Sequence, residues 1–221
     1  PPAEPDDYTL DVRQALGINA GEWLFLQPTR IVPRKEIEHA IELTRRIDGQ
    51  AKLVISHTSG DEGPEYVRYI REYARLLGVA VNFASDIIAD KRGSQHGQKV
   101  YTLADVYPYA DLVTYPTGLE GFGNAFLEAV YFRRPLLINN YSIFATDIKP
   151  KGFQVIEFDS FISDKVVEKT WQVLHDPSLA QEMGERNYQL ARCHYSYQVL
   201  QRHLETLLAD CFGEAINSEG C

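Results

Sequence analysis

Residues 117–129 read Thr-Gly-Leu-Glu-Gly-Phe-Gly-Asn-Ala-Phe-Leu-Glu-Ala. In this stretch two carboxylates, Glu120 and Glu128, are separated by seven residues, and a Gly-Phe-Gly turn between them leads into an apolar helical segment. A glycine turn before a helix exposes unpaired backbone amides beside the two acids. Anionic oxygens and vicinal hydroxyls, the groups that a phosphate-linked sugar offers, complement this arrangement.

The composition is that of a globular protein, since 44% of the 221 residues are hydrophobic and 24% are charged. This length suits one large α/β domain, or one domain with an appendage. The net charge of −9 argues against a nucleic-acid partner. The three cysteines, Cys193, Cys211 and Cys221, have no framework spacing, which indicates reduced thiols and a cytoplasmic location. No apolar run in the sequence approaches the length of a membrane span.

Strand-like and helix-like segments alternate along the chain. Apolar runs of strand length occupy residues 23–26, 52–55, 79–83, 111–115, 135–138 and 154–158. Helical spacing occupies residues 8–16, 33–47, 65–77, 100–109, 124–132, 142–148, 163–174, 177–191 and 197–208. This alternation predicts an α/β fold with a Rossmann-like doubly wound parallel sheet, in which ligands bind at the carboxyl ends of the strands. We expect an interdomain linker at 1–20, the Rossmann-like domain at 21–192, and a C-terminal helix and tail at 193–221.

The Gly-Phe-Gly turn has two interpretations. If Asn124 starts a helix, the amides of Gly123, Asn124 and Ala125 form an anion site that the helix dipole strengthens. Alternatively, the segment is a plain strand-to-helix turn in which Asn124 caps the helix. A lone glutamate is usually just solvated, but a carboxylate accepts both hydroxyls of a cis-diol. Two glutamates that bracket such a turn therefore favour a binding site.

A second candidate cluster follows the first predicted strand. Arg30 and Lys35 belong at the carboxyl edge of the sheet, the same edge as residues 121–124. Arginine offers phosphate oxygens a planar fork, and lysine offers a point charge. Arg34 and Lys35 are also charges that an ordinary exposed loop contains. The pairing of Arg30 with Lys35 opposite a glycine-rich turn favours a phosphate site.

Three motifs now occur in order: Arg30-x4-Lys35, then Pro116-Thr-Gly-Leu-Glu-Gly-Phe-Gly-x4-Glu128-Ala, then Pro135-Leu-Leu. Together they resemble the C-terminal, donor-binding domain of the family 4 retaining glycosyltransferases, the glycogen-synthase and mannosyltransferase-like group. The likeness runs from about residue 16 to the end of the chain. It implies the C-terminal half of a GT-B fold, in which two Rossmann-like domains face a cleft, and a nucleotide-sugar-binding function for residues 21–192.

The resemblance implies a role for each matching position. Arg30 and Lys35 would neutralise the diphosphate and Glu120 would contact the transferred sugar, so these three are the candidate catalytic residues. Glu128 would bind the ribose diol. The other candidate donor-binding residues are Gly121, Phe122, Gly123 and Asn124 in the turn, Ser85, Asp86 and Ile87 beside the base, and Asp147 facing the sugar.

Three places depart from the family pattern. Thr29 stands where glycine commonly precedes the arginine, and residues 56–60, Ser-His-Thr-Ser-Gly, replace a glycine-rich turn. Residues 140–144 read Asn-Tyr-Ser-Ile-Phe, where paired glycines often precede the acidic position. The last two changes add bulk near the sugar and the phosphates, so they bear on the donor more than on the fold. His57 is expected to be a loop residue without a ligand role.

The mechanism that the resemblance implies is hexose transfer with retention of configuration, by front-face displacement through an oxocarbenium-like species. Catalysis would depend on positioning and on stabilising the departing phosphate. The sequence has no Asp-x-Asp motif, so we expect no metal and no further cofactor. The expected donor is a UDP- or GDP-linked sugar.

An acceptor domain precedes the linker in this family. We therefore expect this chain to bind donor but to be largely inactive alone, with any peripheral membrane contact made through the missing domain. Two alternatives stay open, namely a non-catalytic nucleotide-sugar-binding module and a nucleotide-sugar epimerase-type GT-B enzyme. A dinucleotide oxidoreductase is disfavoured, because no Gly-x-Gly-x-x-Gly follows the first predicted strand.

Overall fold

The fold is built on one parallel sheet. The computed structural model describes residue 2, residues 4–95 and residues 97–213. Its strands are β1 Trp23–Gln27, β2 Ala51–Ile55, β3 Val81–Phe83, β4 Gly93–Gln95, β5 Gln98–Val100, β6 Leu112–Tyr115, β7 Leu136–Asn139 and β8 Ile156–Phe158. Six of them form the central sheet in the order β3-β2-β1-β6-β7-β8, and all neighbouring pairs are parallel. β4 and β5 form a separate antiparallel hairpin.

Helices cover both faces of this sheet. They are α1 Val12–Ala15, α2 Glu38–Arg46, α3 Glu65–Leu77, α4 Leu103–Val106, α5 Asn124–Tyr131, α6 Asp164–His175, α7 Pro177–Tyr195 and α8 Tyr197–Phe212. Successive strand side chains point to opposite faces. Leu24 and Leu26 accordingly pack with Phe126 of α5, and Phe25 packs on the other face with Ile41 of α2. The predicted doubly wound α/β sheet is confirmed.

The order of the strands reverses beside β1. This strand pairs with β2 on one side and with β6 on the other. Connections that leave the carboxyl ends of β1 and β6 diverge, and such a reversal opens a crevice in which α/β proteins bind ligands. Residues 28–35 leave β1 there and residues 116–123 leave β6, so both candidate motifs begin at the crevice.

The helix predicted over 33–47 is wrong in one respect, because it is interrupted. A 3-10 turn, Pro33–Lys35, precedes α2, and Glu36 follows it in the left-handed conformation with φ 47°. That conformation is unfavourable for residues other than glycine. Here Asn139, at the end of β7, donates a 3.1 Å hydrogen bond to the Glu36 carboxylate. Lys35 therefore ends a tight turn and is not part of a continuous helix.

The helix predicted over 100–109 begins later and is shorter. Residue 100 ends the β4–β5 hairpin, which turns at Gly97 with φ 77°. α4 follows, and its start is fixed by a capping box between Thr102 and Asp105. The Thr102 hydroxyl accepts from the Asp105 amide at 3.3 Å, and the Asp105 carboxylate accepts from the Thr102 amide at 2.8 Å.

The two ends of the chain join the domain in different ways. Within the predicted linker, Val12 and Leu16 are fully buried in the core, and Arg13 forms a 3.0 Å ion pair with Asp111. α7 continues to residue 195, and α8 buries none of its side chains among the described residues. The last residues of the predicted tail, 214–221 with Cys221, lie outside the described residues. Over the ranges 4–95 and 97–213, no helix is long and apolar enough to cross a membrane.

Candidate functional site

A cleft of about 520 Å³ lies at the carboxyl edge of the sheet, where β1 and β6 end. Its wall contains these predicted site residues: Arg30, Lys35, Glu120, Phe122, Gly123, Asn124 and Glu128. Its other wall residues are Pro28, Thr29, Arg34, His57, Leu103, Tyr115 and Ala125. The structure thus brings the Arg-Lys motif and the Glu-turn-Glu motif to opposite sides of one opening.

Gly123 determines the shape of the turn that starts α5. Its φ of 100° is unfavourable for other residues, and a Cβ atom there would lie 2.6 Å from the Tyr115 hydroxyl oxygen. Gly123 itself is the N-cap, so the alternative in which Asn124 caps the helix is wrong. No side chain of the described residues accepts a hydrogen bond from the first turn of α5. The amides of Asn124 and Ala125 therefore remain available at the cleft wall.

The Glu120 carboxylate is the charged centre of the cleft. Its Oε2 atom contacts the Lys35 ammonium, accepts a 3.0 Å hydrogen bond from the Tyr115 hydroxyl, and lies 3.6 Å from Nη1 of Arg34. The Lys35 side chain is only 9% exposed. Burial raises the pKa of Glu120, but the contacts with Lys35 and Tyr115 outweigh it and bring the pKa below its usual value. Glu120 is therefore ionised at neutral pH.

The side chain of Tyr115 contacts both members of this charged pair. It is the last residue of β6 and is buried, so the strand fixes the position of its ring. The Lys35 ammonium lies 5.1 Å from the ring centroid, within the range of a cation–π contact. Burial and the Glu120 charge raise the pKa of Tyr115, so its hydroxyl remains a proton donor to the carboxylate.

Glu128 has a different environment from Glu120. Its half-buried carboxylate accepts one hydrogen bond, of 2.9 Å, from the Tyr107 hydroxyl. Within the described part of the chain, no lysine, arginine or histidine forms an ion pair with it. Burial raises the pKa of Glu128, and the Tyr107 hydrogen bond only partly offsets the shift. This carboxylate is thus a desolvated acceptor that lacks counter-charge.

Arg30 and His57 form the outer part of the wall. The Arg30 side chain is 47% exposed, and its Nη2 atom lies a loose 4.0 Å from the Glu62 carboxylate. Nδ1 of His57 is 2.6 Å from Oγ of Ser56. Partial burial lowers the pKa of His57 by more than the charge of Asp90 raises it, and the Arg30 charge lowers it further, so the imidazole is neutral at pH 7. His57 lines the cleft, where sequence analysis expected a loop residue without a ligand role.

Five predicted site residues lie outside the cleft wall. Ser85, Asp86 and Ile87 form a turn after β3. The amide of Tyr101, the residue after β5, donates a 2.8 Å hydrogen bond to the Ile87 carbonyl and holds this turn in place. Gly121 is exposed beside the cleft. Asp147 is exposed on a π-helical turn, Phe144–Ile148. Burial raises the pKa of Tyr195, and the charge of Asp147 raises it further.

Several wall residues are not among the candidates from the sequence, and Tyr115, Arg34 and Leu103 show why. Tyr115 ends a strand at the binding edge, and its position in β6 is a signal that could have identified it. Arg34 has the sequence pattern of a common loop charge, although it directly precedes Lys35. Leu103 follows the Thr102 capping position, which was not recognised.

The fold and the cleft define a Rossmann-like domain with a charged cleft at the carboxyl edge of its sheet. The chain matches the family model described as glycosyl transferases group 1 over residues 9–190, and it belongs to that family. Two curated relatives, mannosylglucosylglycerate synthases of Petrotoga mobilis and Thermotoga maritima, are each 31% identical to it. Both alignments cover 86% of this chain, but 51% and 49% of the relatives. The chain therefore spans about half the length of these relatives.

Solved structures show the same fold at low identity. HepE of Anabaena in complex with UDP-glucose has a TM-score of 0.75 over 93% of this chain and 54% of that chain, at 16% identity. The C-terminal domain of LpcC, a glycosyl transferase group 1 family protein of Francisella tularensis, has a TM-score of 0.64. That alignment covers 89% of this chain and 96% of the other, at 15% identity.

Replacing Glu128 by Gln should stabilise the folded protein at pH 7. The glutamine keeps an acceptor for Tyr107 and removes a charge that costs more in the folded than in the unfolded chain. Because the folded pKa is raised, the advantage should shrink as the pH falls through it and disappear below the unfolded value of about 4.5. Urea unfolding at pH 7 and pH 4 measures both effects.

Glu168→Gln, on an exposed position of α6, is the matched control and should leave stability unchanged at both pH values. Equal stability of Glu128→Gln and wild type at pH 7 would contradict the description of Glu128 as a carboxylate without counter-charge.

Proposed function

We propose that residues 21–192 bind the nucleotide-diphospho-sugar donor of a retaining hexosyltransferase, with UDP or GDP as the nucleotide. The single observation that carries this proposal is the Glu128 carboxylate. It lies in the same cleft as two phosphate-type cations and a helix N-terminus, yet it has no cation partner among the described residues. Members of this family use nucleotide sugars as donors, which agrees with a ligand that carries both phosphates and hydroxyls.

The diphosphate would lie between the two walls of the cleft. Arg30 and Lys35 follow β1 on one side, and the amides of Asn124 and Ala125 start α5 on the other. Cationic side chains and a helix N-terminus both stabilise phosphate oxygens. Catalysis would use the same groups, because they stabilise the charge that develops on the departing phosphate.

The hydroxyl groups of the donor would go to the two glutamates. Glu128 has one hydrogen bond and needs further donors, and a ribose diol supplies two. Glu120 would contact and orient the transferred sugar, which is the positional part of catalysis. Attack by the acceptor on the same face would give retention, without an enzyme nucleophile.

The ends of the donor would extend beyond the cleft wall. The bond between Tyr101 and Ile87 places the turn of Ser85, Asp86 and Ile87 next to the segment that carries Leu103, an apolar wall residue suited to a base. On the other side of the turn, Gly121 is exposed and would lie along the sugar. We assign Asp147 to the sugar end by resemblance.

The relatives support a hexosyl donor and, among the two nucleotides, UDP. HepE is described in complex with UDP-glucose, and the curated relatives are named mannosylglucosylglycerate synthases.

Cys193 and Cys211 are free and exposed, which favours the reducing cytoplasm as the location.

Replacing Glu128 by Ala should weaken nucleotide binding about tenfold to a hundredfold, because charged hydrogen bonds worth roughly 1.5–3 kcal/mol are lost. Calorimetric titration with UDP and with GDP measures the affinity and identifies the base. Glu168→Ala should bind like the wild type. Unchanged affinity in a folded Glu128→Ala protein would remove the ribose assignment, and a wild type that binds neither nucleotide would refute the proposed function.

The 221-residue chain should bind donor but transfer its sugar slowly or not at all. The curated relatives are about twice as long, and we propose that their additional half corresponds to the acceptor site. Release of UDP or GDP from UDP-glucose or GDP-mannose, followed in a coupled assay, should stay at the background rate. Rapid transfer to an added sugar acceptor by this chain would contradict this prediction.

A further inference from the structure

Arg34 is a third cation of the cleft, and the proposed function gives it no role. Its main chain is fixed, because its carbonyl accepts hydrogen bonds from the Gly118 amide at 3.2 Å and the Thr117 hydroxyl at 2.9 Å. Its side chain is 35% exposed and lines the cleft, with Nη1 3.6 Å from Oε2 of Glu120. At that distance the two charges attract each other without a direct hydrogen bond.

The single ammonium group of Lys35 has two potential partners, the Glu120 carboxylate and the diphosphate of a donor. In this structure it is in contact with Glu120, but the diphosphate of a donor would also require it. The Glu120 side chain is 21% exposed, so removing its principal counter-charge would leave a poorly solvated carboxylate. Three neutral groups also face Glu120. The Gly121 amide donates a 3.2 Å hydrogen bond to its Oε1 atom, and the hydroxyls of Tyr115 and Tyr141, whose pKa values are raised above the ordinary tyrosine value, supply no positive charge.

We propose that Arg34 is a positioning residue. It replaces Lys35 as the counter-charge of the Glu120 carboxylate when the Lys35 ammonium binds the diphosphate. This inference rests on the proposed function. A movement of less than about 1 Å brings Nη1 of Arg34 within hydrogen-bond distance of Glu120. The planar guanidinium also offers several donors, so Arg34 replaces the Lys35 contact and keeps the carboxylate ionised and in place. This exchange allows Lys35 to contact Glu120 in the empty cleft and the diphosphate in the occupied cleft.

The test is calorimetric titration of UDP into the 221-residue chain and its variants. Arg34→Met should weaken UDP binding about tenfold at pH 7.5, the size expected for a partly buried charge contact, whereas Arg34→Lys should recover most of the affinity. Arg68→Met, which removes an exposed arginine of α3, is the charge-matched control and should not change the affinity.

Two further readouts separate a role through Glu120 from a direct or merely structural role. In the Glu120→Gln background no carboxylate needs Arg34, so adding Arg34→Met should change the affinity by less than about threefold. In Arg34→Met alone, binding leaves Glu120 uncompensated and raises its pKa, so binding takes up a proton. The deficit relative to wild type should therefore shrink as the pH falls from 7.5 to 5.5.

A deficit that is the same at both pH values and persists in the Glu120→Gln background would overturn the inference, because Arg34 would then contact the nucleotide directly or support the fold. Unchanged affinity in Arg34→Met would overturn it as well, while leaving the proposed function intact. If the wild type binds neither UDP nor GDP, both the proposed function and this inference fail.

Discussion

The contact between the buried Lys35 ammonium and the Glu120 carboxylate is the interaction on which the cleft depends. It joins the turn after β1 to the loop after β6, at the point where the strand order reverses. Two partly buried charges cost desolvation that their attraction offsets only while both are present, so removing one of them destabilises the other. The left-handed residues Glu36 and Gly123 lie on the two sides of this pair. The first ends the turn at Lys35, and the second lets α5 start against Tyr115.

Much of this arrangement could be predicted from the sequence, because it depends on local pattern and chain order. Alternating apolar runs and helical segments gave the doubly wound sheet, and Lys35 and Glu120 both follow strands whose carboxyl ends meet. The break at Glu36 could not be predicted, since it depends on a hydrogen bond from a residue 103 positions away. The burial of Val12 in a segment rich in proline and aspartate is likewise a tertiary effect. The sequence around Arg34 is that of an ordinary loop charge, and only its distance to Glu120 in the folded chain identifies it as a cation of the cleft.

The electrostatics of the cleft are unfavourable for an isolated folded chain and favourable for a ligand. Glu128 is desolvated without a counter-charge, and the first amides of α5 have no capping side chain among the described residues. Such groups lower stability and are retained where a partner of opposite character binds. The apolar packing of the two faces of the sheet, around Phe25 and Phe126, tolerates this cost. These features support our proposal that the cleft binds a molecule that carries phosphates on one side and hydroxyls on the other.

We propose above all that this cleft binds a nucleoside diphosphate at the start of α5. Amide NMR of the ¹⁵N-labelled chain during titration with UDP tests it most directly. We expect saturable chemical-shift changes of the amides of Lys35, Gly123, Asn124 and Ala125, and no change at the opposite edge of the sheet around Trp23. Absence of saturable shifts at these amides with UDP and with GDP, or shifts confined to the edge around Trp23, would contradict it.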